Sequence, residues 1–419
     1  MEIQVNHLTR VEGHGNLYAE VLAGQVQEAV FRVVEANRFF EGILRGHDAE
    51  EVAHIASRIC GICAVSHSCA SLQASEAALG LEISEQTRLL RRLVMNAEVM
   101  SSHALHVWFL AAPDYLHLPS VLPLIRDNPE AVQRAFRLKK TGYDLGEVVV
   151  GRHTHPVSAV PGGFTCAPET WALEQICERL IGLRPDLETT VALYQGLEAP
   201  PFTRPTEYVS LRRPDHYSFY GGEIVSSEGT AIPADQYLEN LQEFVVLGTT
   251  AKHARWHGES YMVGALARVN NNHEQLHPAA KHALAALKMT PPCHNPFRNT
   301  AAQVVELVHC VEDSIALIDT LLARGIEEQW EPEYEVRAGR GVGVVEAPRG
   351  LLIHDYSYDE RGLCAAANCV IPTNQNLANL NAELRAFLPG IVDLPKEEIQ
   401  RQLEMLVRAY DPCISCSVH

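Results

Sequence analysis

Four cysteines in two C-x-x-C pairs stand near opposite ends of this chain: Cys60 and Cys63 in "SRICGICAVSH", Cys413 and Cys416 in "AYDPCISCSVH". Each pair lets two sulfurs converge on one ion with little backbone rearrangement, and two pairs can supply four thiolates. Four soft anionic sulfurs select zinc, iron or nickel over magnesium or calcium. Three chemistries compete. Structural zinc normally has its pairs about fifteen to twenty residues apart, because the metal replaces a core in a small module. Here the separation is 413 − 60 = 353 residues, in a chain that can build its own core. Two separate redox dithiols would sit in a βαβ context, which neither pair has. A buried catalytic metal centre, closed when the C-terminal segment docks, accounts for thiols placed where chains otherwise fray. The other seven cysteines (69, 166, 177, 293, 310, 364 and 369) show no iron–sulfur spacing. If the centre handles electrons, a partner has to carry the relay.

The elements that position these pairs are mostly helical. "DAEEVAHIASRI", capped by Asp48, runs straight into Cys60, and "VSHSCASLQASEAAL" follows Cys63 and stops at Gly80. Ser84 opens a long helix that Pro113 should end, and its apolar second half belongs at the centre of a bundle. Further helices are expected at about 129–145, 168–195, 234–247, 275–288 and 298–324. The first 35 residues read as strands, 200–232 as a loop or small β excursion, and 340–373 as strands again. A last helix, "KEEIQRQLEMLVRAY", delivers the chain to Asp411. The expected fold is mainly α with β additions (α+β), a central long-helix bundle in one interdependent globule. Its parts are an N-terminal β region 1–47, a helical bundle 48–200, the excursion 201–232, the rest of the bundle 233–330 and a C-terminal α/β region 331–419.

Composition narrows the function. The 419 residues are 47% hydrophobic and 21% charged, enough for a large core and too ordered for wholesale disorder. A net charge of −18 argues against nucleic acid or an anionic membrane as partner. No apolar run approaches transmembrane length, and the first residues lack a secretory pattern, so thiols or metal ligands are expected rather than disulfides.

Taken together, "TRVEGHG", "RFFEGILRG", "RICGICAVSH", "SHALHVWFLAAPDY", "EAPRG", "VIPTNQN" and "DPCISCSVH" resemble, in order and over the whole chain, the large subunits of nickel–iron hydrogenases. "YMVGALARVNN" and "AYDPCISCSVH" look most like the soluble cytoplasmic NAD(P)-linked and sulfhydrogenase alpha-subunit branch. The resemblance implies that Cys60, Cys63, Cys413 and Cys416 bind nickel. It also implies that Cys63 and Cys416 bridge to an iron carrying carbon monoxide and cyanide. Glu12 matches a proton-transfer carboxylate, whose bland alternative is a salt bridge with Arg10. Arg349 matches an arginine held over the metals, beside Pro348. Thr373 matches a hydroxyl that bonds a cyanide, and His67 an imidazole beside the Cys63 sulfur. Glu41, the carbonyl of about Cys369, and His419 match a magnesium site. Many members carry Asp where Ser102 stands, so the charge balance around Arg349 should differ here. The resemblance further implies several partners: an iron–sulfur small subunit, a flavin- and NAD(P)-binding diaphorase or other acceptor subunits, nickel-insertion proteins, and a maturation protease that trims the C-terminus to His419.

These types suit the chemistry. H2 is apolar and a very weak acid, so a metal must take the hydride while a base takes the proton. Cys413 or Arg349 offers that base, and Glu12, expected in a dry interior with a raised pKa, a second station. Two rival functions remain: a hydrogenase-like structural or electron-transfer subunit, whose relatives lose the nickel cysteines, and a zinc-stapled scaffold.

Overall fold

The computed structural model describes residues 1–328 and 334–419. The boundary expected at 330/331 therefore lies outside the described residues. Two long helices, Glu85–Leu105 and Asn299–Arg324, form the centre. Pro129–Val150 packs on the first, and Thr170–Gly182, Arg184–Gln195 and Pro278–Ala286 pack on the second. Both central helices bury residues on most sides, as a helix surrounded by others must. Ser84 caps the first by accepting from the Thr87 N–H.

That helix does not stop at Pro113. It widens into a π-helical turn at His106–Ala111 and resumes over Ala112–Tyr115, with the proline near the new start, where its missing N–H costs nothing. The wider turn lets His106 reach across the core: Nδ1 meets Gln303 Oε1 at 2.5 Å and Nε2 meets the Arg408 carbonyl at 2.8 Å.

The segment 234–247 is not the expected helix. A 3₁₀ stretch, Ala234–Glu239, gives way to the strand Leu241–Phe244, which pairs antiparallel with His253–Trp256. Strand pairing outcompetes the local helical pattern there. The excursion at 200–232 is β: Glu207–Arg212 and Glu223–Ser226 pair antiparallel, and Tyr261–Met262 adds in parallel to the first.

Two sheets flank the cysteine pairs. The N-terminal one is an antiparallel meander of Glu2–Val5, Gly15–Leu22 and Gln25–Val33. The C-terminal one joins Gly339–Ala347, Gly350–Tyr358 and Cys364–Val370, also antiparallel. Its first strand lies directly on the helix Ala64–Leu79. A Cβ at Gly339, Gly341 or Gly343 would stand 2.2, 2.1 or 2.0 Å from the carbonyl oxygens of Ala78, Ala74 and Ala70. Glycine at every second strand position meets alanine at every fourth helix position, so the two backbones touch.

Candidate metal centre

The helix Ala49–Ala56, capped by Asp48, continues through a short 3₁₀ turn and releases the chain into extended backbone at Cys60. Cys63 then stands at the start of Ala64–Leu79. Cys413 precedes, and Cys416 lies on, the short helix Ile414–Ser417. The fold brings the two pairs together: Cys60 Sγ lies 3.5 Å from Cys413 Sγ, Cys63 Sγ 3.3 Å from Cys416 Sγ, and Cys413 Sγ 2.7 Å from Cys416 Sγ. All four sulfurs are buried and lie within 4.8 Å of one another. A cavity opens beside Cys63, Cys413 and Cys416, closed by Arg349, Thr373 and His67 and by apolar Leu352 and Ile371. Cys60 does not line it.

Thiols packed this tightly do not titrate alike. Hydrogen bonds from Cys413, Cys416 and Cys63, opposed by burial, hold the Cys60 thiol well below the usual range. Burial pushes Cys413 up to about 11 and raises Cys416 as well. Crowding in a dry site sets the four thiols against one another, each added negative charge opposing the next.

Several tethers fix the terminal segment. Arg38 Nη2 donates to both the Ile59 and the Ser415 carbonyls, the residues just before Cys60 and Cys416, and the Arg38 N–H donates to the Val418 carbonyl at 2.8 Å. The Ile414 N–H donates to the Glu12 carbonyl at 3.0 Å, pairing Glu12 with Cys413. Gly13, at φ 84°, allows this approach, since a Cβ there would stand 2.6 Å from Ile414 Cβ. Thr373 Oγ1 accepts the Cys413 N–H at 2.9 Å, which leaves its own O–H free to point elsewhere.

Glu12 does not pair with Arg10, which instead meets Asp114. Its carboxylate accepts from the Ser415 N–H at 2.9 Å and from the Ser415 hydroxyl. It is half-buried rather than in the dry interior expected of it. Arg349 is buried, donating through Nε to the Asp411 carbonyl at 2.7 Å and through Nη2 to Asp411 Oδ1 at 2.9 Å. Burial acts against its charge, but Asp411 and the thiolates outweigh that and keep it a cation. Ser102 reaches Arg349 Nη1 at 3.4 Å, so Asp411 carries the countercharge. Pro348 does not line the cavity; its carbonyl accepts from Arg268 at 3.0 Å and anchors the loop that carries Arg349. His67 is buried, which pushes it down to about 3 and keeps it neutral.

The second cluster also assembles, with one difference. His419 Nε2 lies 3.3 Å from Glu41 Oε1, but Cys369 reaches that oxygen through its N–H, at 3.0 Å, rather than its carbonyl. Lys252 sits 3.3 Å from Glu41 and 3.6 Å from Glu243. Burial acts to raise the Glu41 carboxyl, but His419, the Cys369 N–H and Lys252 prevail and hold it at about 2.

Sequence reasoning missed Arg38, Asp411, Ser415 and the buried Glu98. Asp411 had a local signal, a carboxylate before Pro412 beside a metal-type cysteine pair. Glu98 accepts the Val65 and Ser66 N–H groups at 2.7 and 3.0 Å, at the start of the helix that carries Cys63. Arg38 and Ser415 lie within the motifs "RFFEGILRG" and "DPCISCSVH", but their roles come from contacts that span the chain and so could not be read from either motif.

Four soft sulfurs brought together from both chain regions and faced by a buried arginine form a site suited to a thiophilic metal. Residues 38–142 and 227–419 match the family model described as nickel-dependent hydrogenase. The alpha chain of sulfhydrogenase 1 from Pyrococcus furiosus is 35% identical, over 100% of this chain and 98% of that protein. The alpha chain of sulfhydrogenase 2 from the same organism is 34% identical, over 100% and 99%. An NAD+-reducing [NiFe]-hydrogenase in the H2-reduced state superposes with a TM-score of 0.87 at 28% identity, over 100% and 99%. A Ni-Fe-Se hydrogenase from D. vulgaris Hildenborough shares the fold at TM-score 0.76 and 23% identity, over all of both chains. The chain belongs to the nickel-dependent hydrogenase family: it is a catalytic large subunit and an oxidoreductase acting on H2. No helix among the described residues is long and apolar enough to cross a membrane.

Proposed function

We propose that Cys60, Cys63, Cys413 and Cys416 hold the nickel–iron centre of this hydrogenase, and that Glu12, Arg349 and Cys413 serve the interconversion of H2 with protons and electrons. The meeting of four buried sulfurs from distant parts of the chain carries the reading. Their softness fits nickel and iron. When bound, the centre supplies the redox and Lewis-acid chemistry that divides H2. Cys63, Cys413 and Cys416 all face the cavity and Cys60 does not; by the family resemblance Cys63 and Cys416 would be the pair that also holds an iron carrying carbon monoxide and cyanide. The O–H of Thr373, which lines the cavity, would be available to a cyanide there, and Leu352 and Ile371 exclude water.

A guanidinium kept charged by Asp411 has no lone pair to offer, so Arg349 acts as fixed positive charge over the site. That leaves a terminal cysteine sulfur as first base. The Glu12–Cys413 backbone pairing favours Cys413 Sγ over Cys60. The Glu12 carboxylate, held by Ser415, takes the proton outward, and its partial exposure suits that direction. Glu41 and His419 would be the magnesium ligands, with waters; Lys252 occupies the Glu41 carboxylate, and the Cys369 N–H rather than its carbonyl faces it, so both would have to give way for the ion to bind.

Electrons leave to an iron–sulfur small subunit, because the remaining cysteines form no cluster motif. NAD(P), reached through a diaphorase partner in the cytoplasm, is the acceptor favoured by likeness to the NAD+-reducing enzyme. The test is metal analysis of the purified complex. Cys60→Ala or Cys416→Ala should abolish nickel retention and H2 uptake. Full nickel in either variant, or only zinc in the wild type, overturns the assignment.

A further inference from the structure

Behind the cavity lies a chain of three buried side chains that the reaction as described does not use. His67 Nδ1 meets His354 Nε2 at 3.0 Å, and His354 Nδ1 meets the Tyr356 hydroxyl at 2.5 Å. All three residues are at most 1% exposed. His354 and Tyr356 project from the same face of the strand Gly350–Tyr358, two residues apart, and His67 comes from the facing helix. His67 then lines the cavity beside Cys63 and Cys416.

One hydrogen bond between two imidazoles has room for one proton. His67 Nδ1 and His354 Nε2 cannot both carry hydrogen, so the tautomers of the two rings are linked. Two arrangements satisfy the contacts. In one, the tyrosine donates to His354 Nδ1, His354 Nε2–H donates to His67 Nδ1, and His67 turns an Nε2–H toward the cavity. In the other, every bond reverses and His67 turns a bare Nε2 lone pair toward it.

Two physical terms select the first. The Tyr356 hydroxyl also lies beside Ser71 and Cys369, but the imidazole lone pair is the strongest acceptor among its neighbours. A phenol is a much stronger acid than a neutral imidazole N–H, so in the short contact the phenol is the better donor. At the far end, a lone pair turned into a dry cavity lined by ligating sulfurs meets negative charge, whereas an N–H turned the same way is attracted to it. Both ends favour the same direction, which makes the relay a single two-state unit.

We propose that Tyr356 and His354 are positioning residues that fix the tautomer of His67, so that its Nε2–H is presented to the cavity lined by Cys63, Cys413 and Cys416. They act through His67 and touch no reactant. An N–H dipole pointed at ligating sulfurs reduces their donation to the metal, so this relay would raise the potential of the centre relative to an enzyme without it. The inference rests on the proposed placement of the centre.

Neutron diffraction on the deuterated holoenzyme complex reads the protons directly. Deuterium is expected on Tyr356 Oη, His354 Nε2 and His67 Nε2. Deuterium on Nδ1 of either histidine overturns the proposal whatever metal occupies the site, and so is separable from a failure of the hydrogenase reading. In solution, Tyr356→Phe keeps the ring and removes the donor. With nickel content unchanged, its nickel redox titration should shift to lower potential. His354→Gln, whose amide nitrogen can still donate to His67 Nδ1, should restore part of the shift, and His354→Leu should not. A Tyr356→Phe enzyme with wild-type nickel content and wild-type potential refutes the relay.

Discussion

Arg38 ties the two cysteine segments together with a single nitrogen, and Arg38→Met tests how much of the centre depends on that tie. Methionine keeps most of the apolar stem and removes the donor to the Ile59 and Ser415 carbonyls. A hydrogen bond to a charged group contributes about 1.5–3 kcal/mol. Ser415 is half-buried and Ile59 fully buried, so the low end applies to the pair. That gives about 3 kcal/mol, or roughly a hundredfold in the docking equilibrium of the terminal segment. The Arg38 N–H to Val418 bond, the Glu12 pairing and the Thr373 contact survive the change, so the segment should loosen rather than the domain unfold. Hydrogen exchange of the amides at 413–419, followed in the complex, should accelerate by about that hundredfold. Protection in the helix Glu85–Leu105 should be unchanged, and nickel retention should fall with the tail. If 413–419 keeps wild-type protection, Arg38 is not the tie. If all regions lose protection together, it is a global stability residue instead.

Glu12→Gln should leave nickel in place and suppress H/D exchange with H2 by at least about tenfold, the lower range for loss of a positioned proton carrier; unchanged exchange removes Glu12 from the proton route. Gly341→Ala puts a Cβ 2.1 Å from the Ala74 carbonyl oxygen, so the helix or strand must move. A loss of about 1–3 kcal/mol or more in denaturant unfolding is expected, and a loss below about 0.5 kcal/mol would mean that the seam yields freely. Burial pushes Glu98 up to about 8 from an ordinary carboxylate value, so folding takes up a proton there. Its contribution therefore falls as pH rises from about 4.5 to 8, by on the order of 4–5 kcal/mol in all, and levels off above. Glu98→Gln should flatten the stability profile across that window, and parallel profiles for the two proteins would contradict the assignment.

Much of the site was legible because C-x-x-C at a helix end is a local pattern with one geometric meaning. Cys60, Cys63 and the closing pair could be named without knowing what lies between them. Long helices were legible for the same reason, with Asn299–Arg324 expected at 298–324. What failed was non-local. "ADQYLENLQEFVVL" carries helical spacing, but the pairing of Leu241–Phe244 with His253–Trp256 takes it into a strand. The π-helical turn at His106 is set by Gln303 and Arg408, far along the chain. Arg10 sits two residues from Glu12 but turns to Asp114, a partner 104 residues away.

The close seam between Gly339–Ala347 and the helix Ala64–Leu79 has a mechanical consequence. Side chains at an ordinary interface can change rotamer and let two elements slide. Here the glycines leave only the Gln73 side chain, bonded to the Val344 N–H, and the short Ala77 side chain at the contact, so few registrations are available. Cys63 at the start of the helix and Arg349 just past the strand are thus two ends of one stiff piece, and close backbone contact along the seam largely sets their separation. Whatever breathing the enzyme needs to admit gas or release protons has to come from the side of Cys413 and Cys416, the half of the centre that rests on tethers.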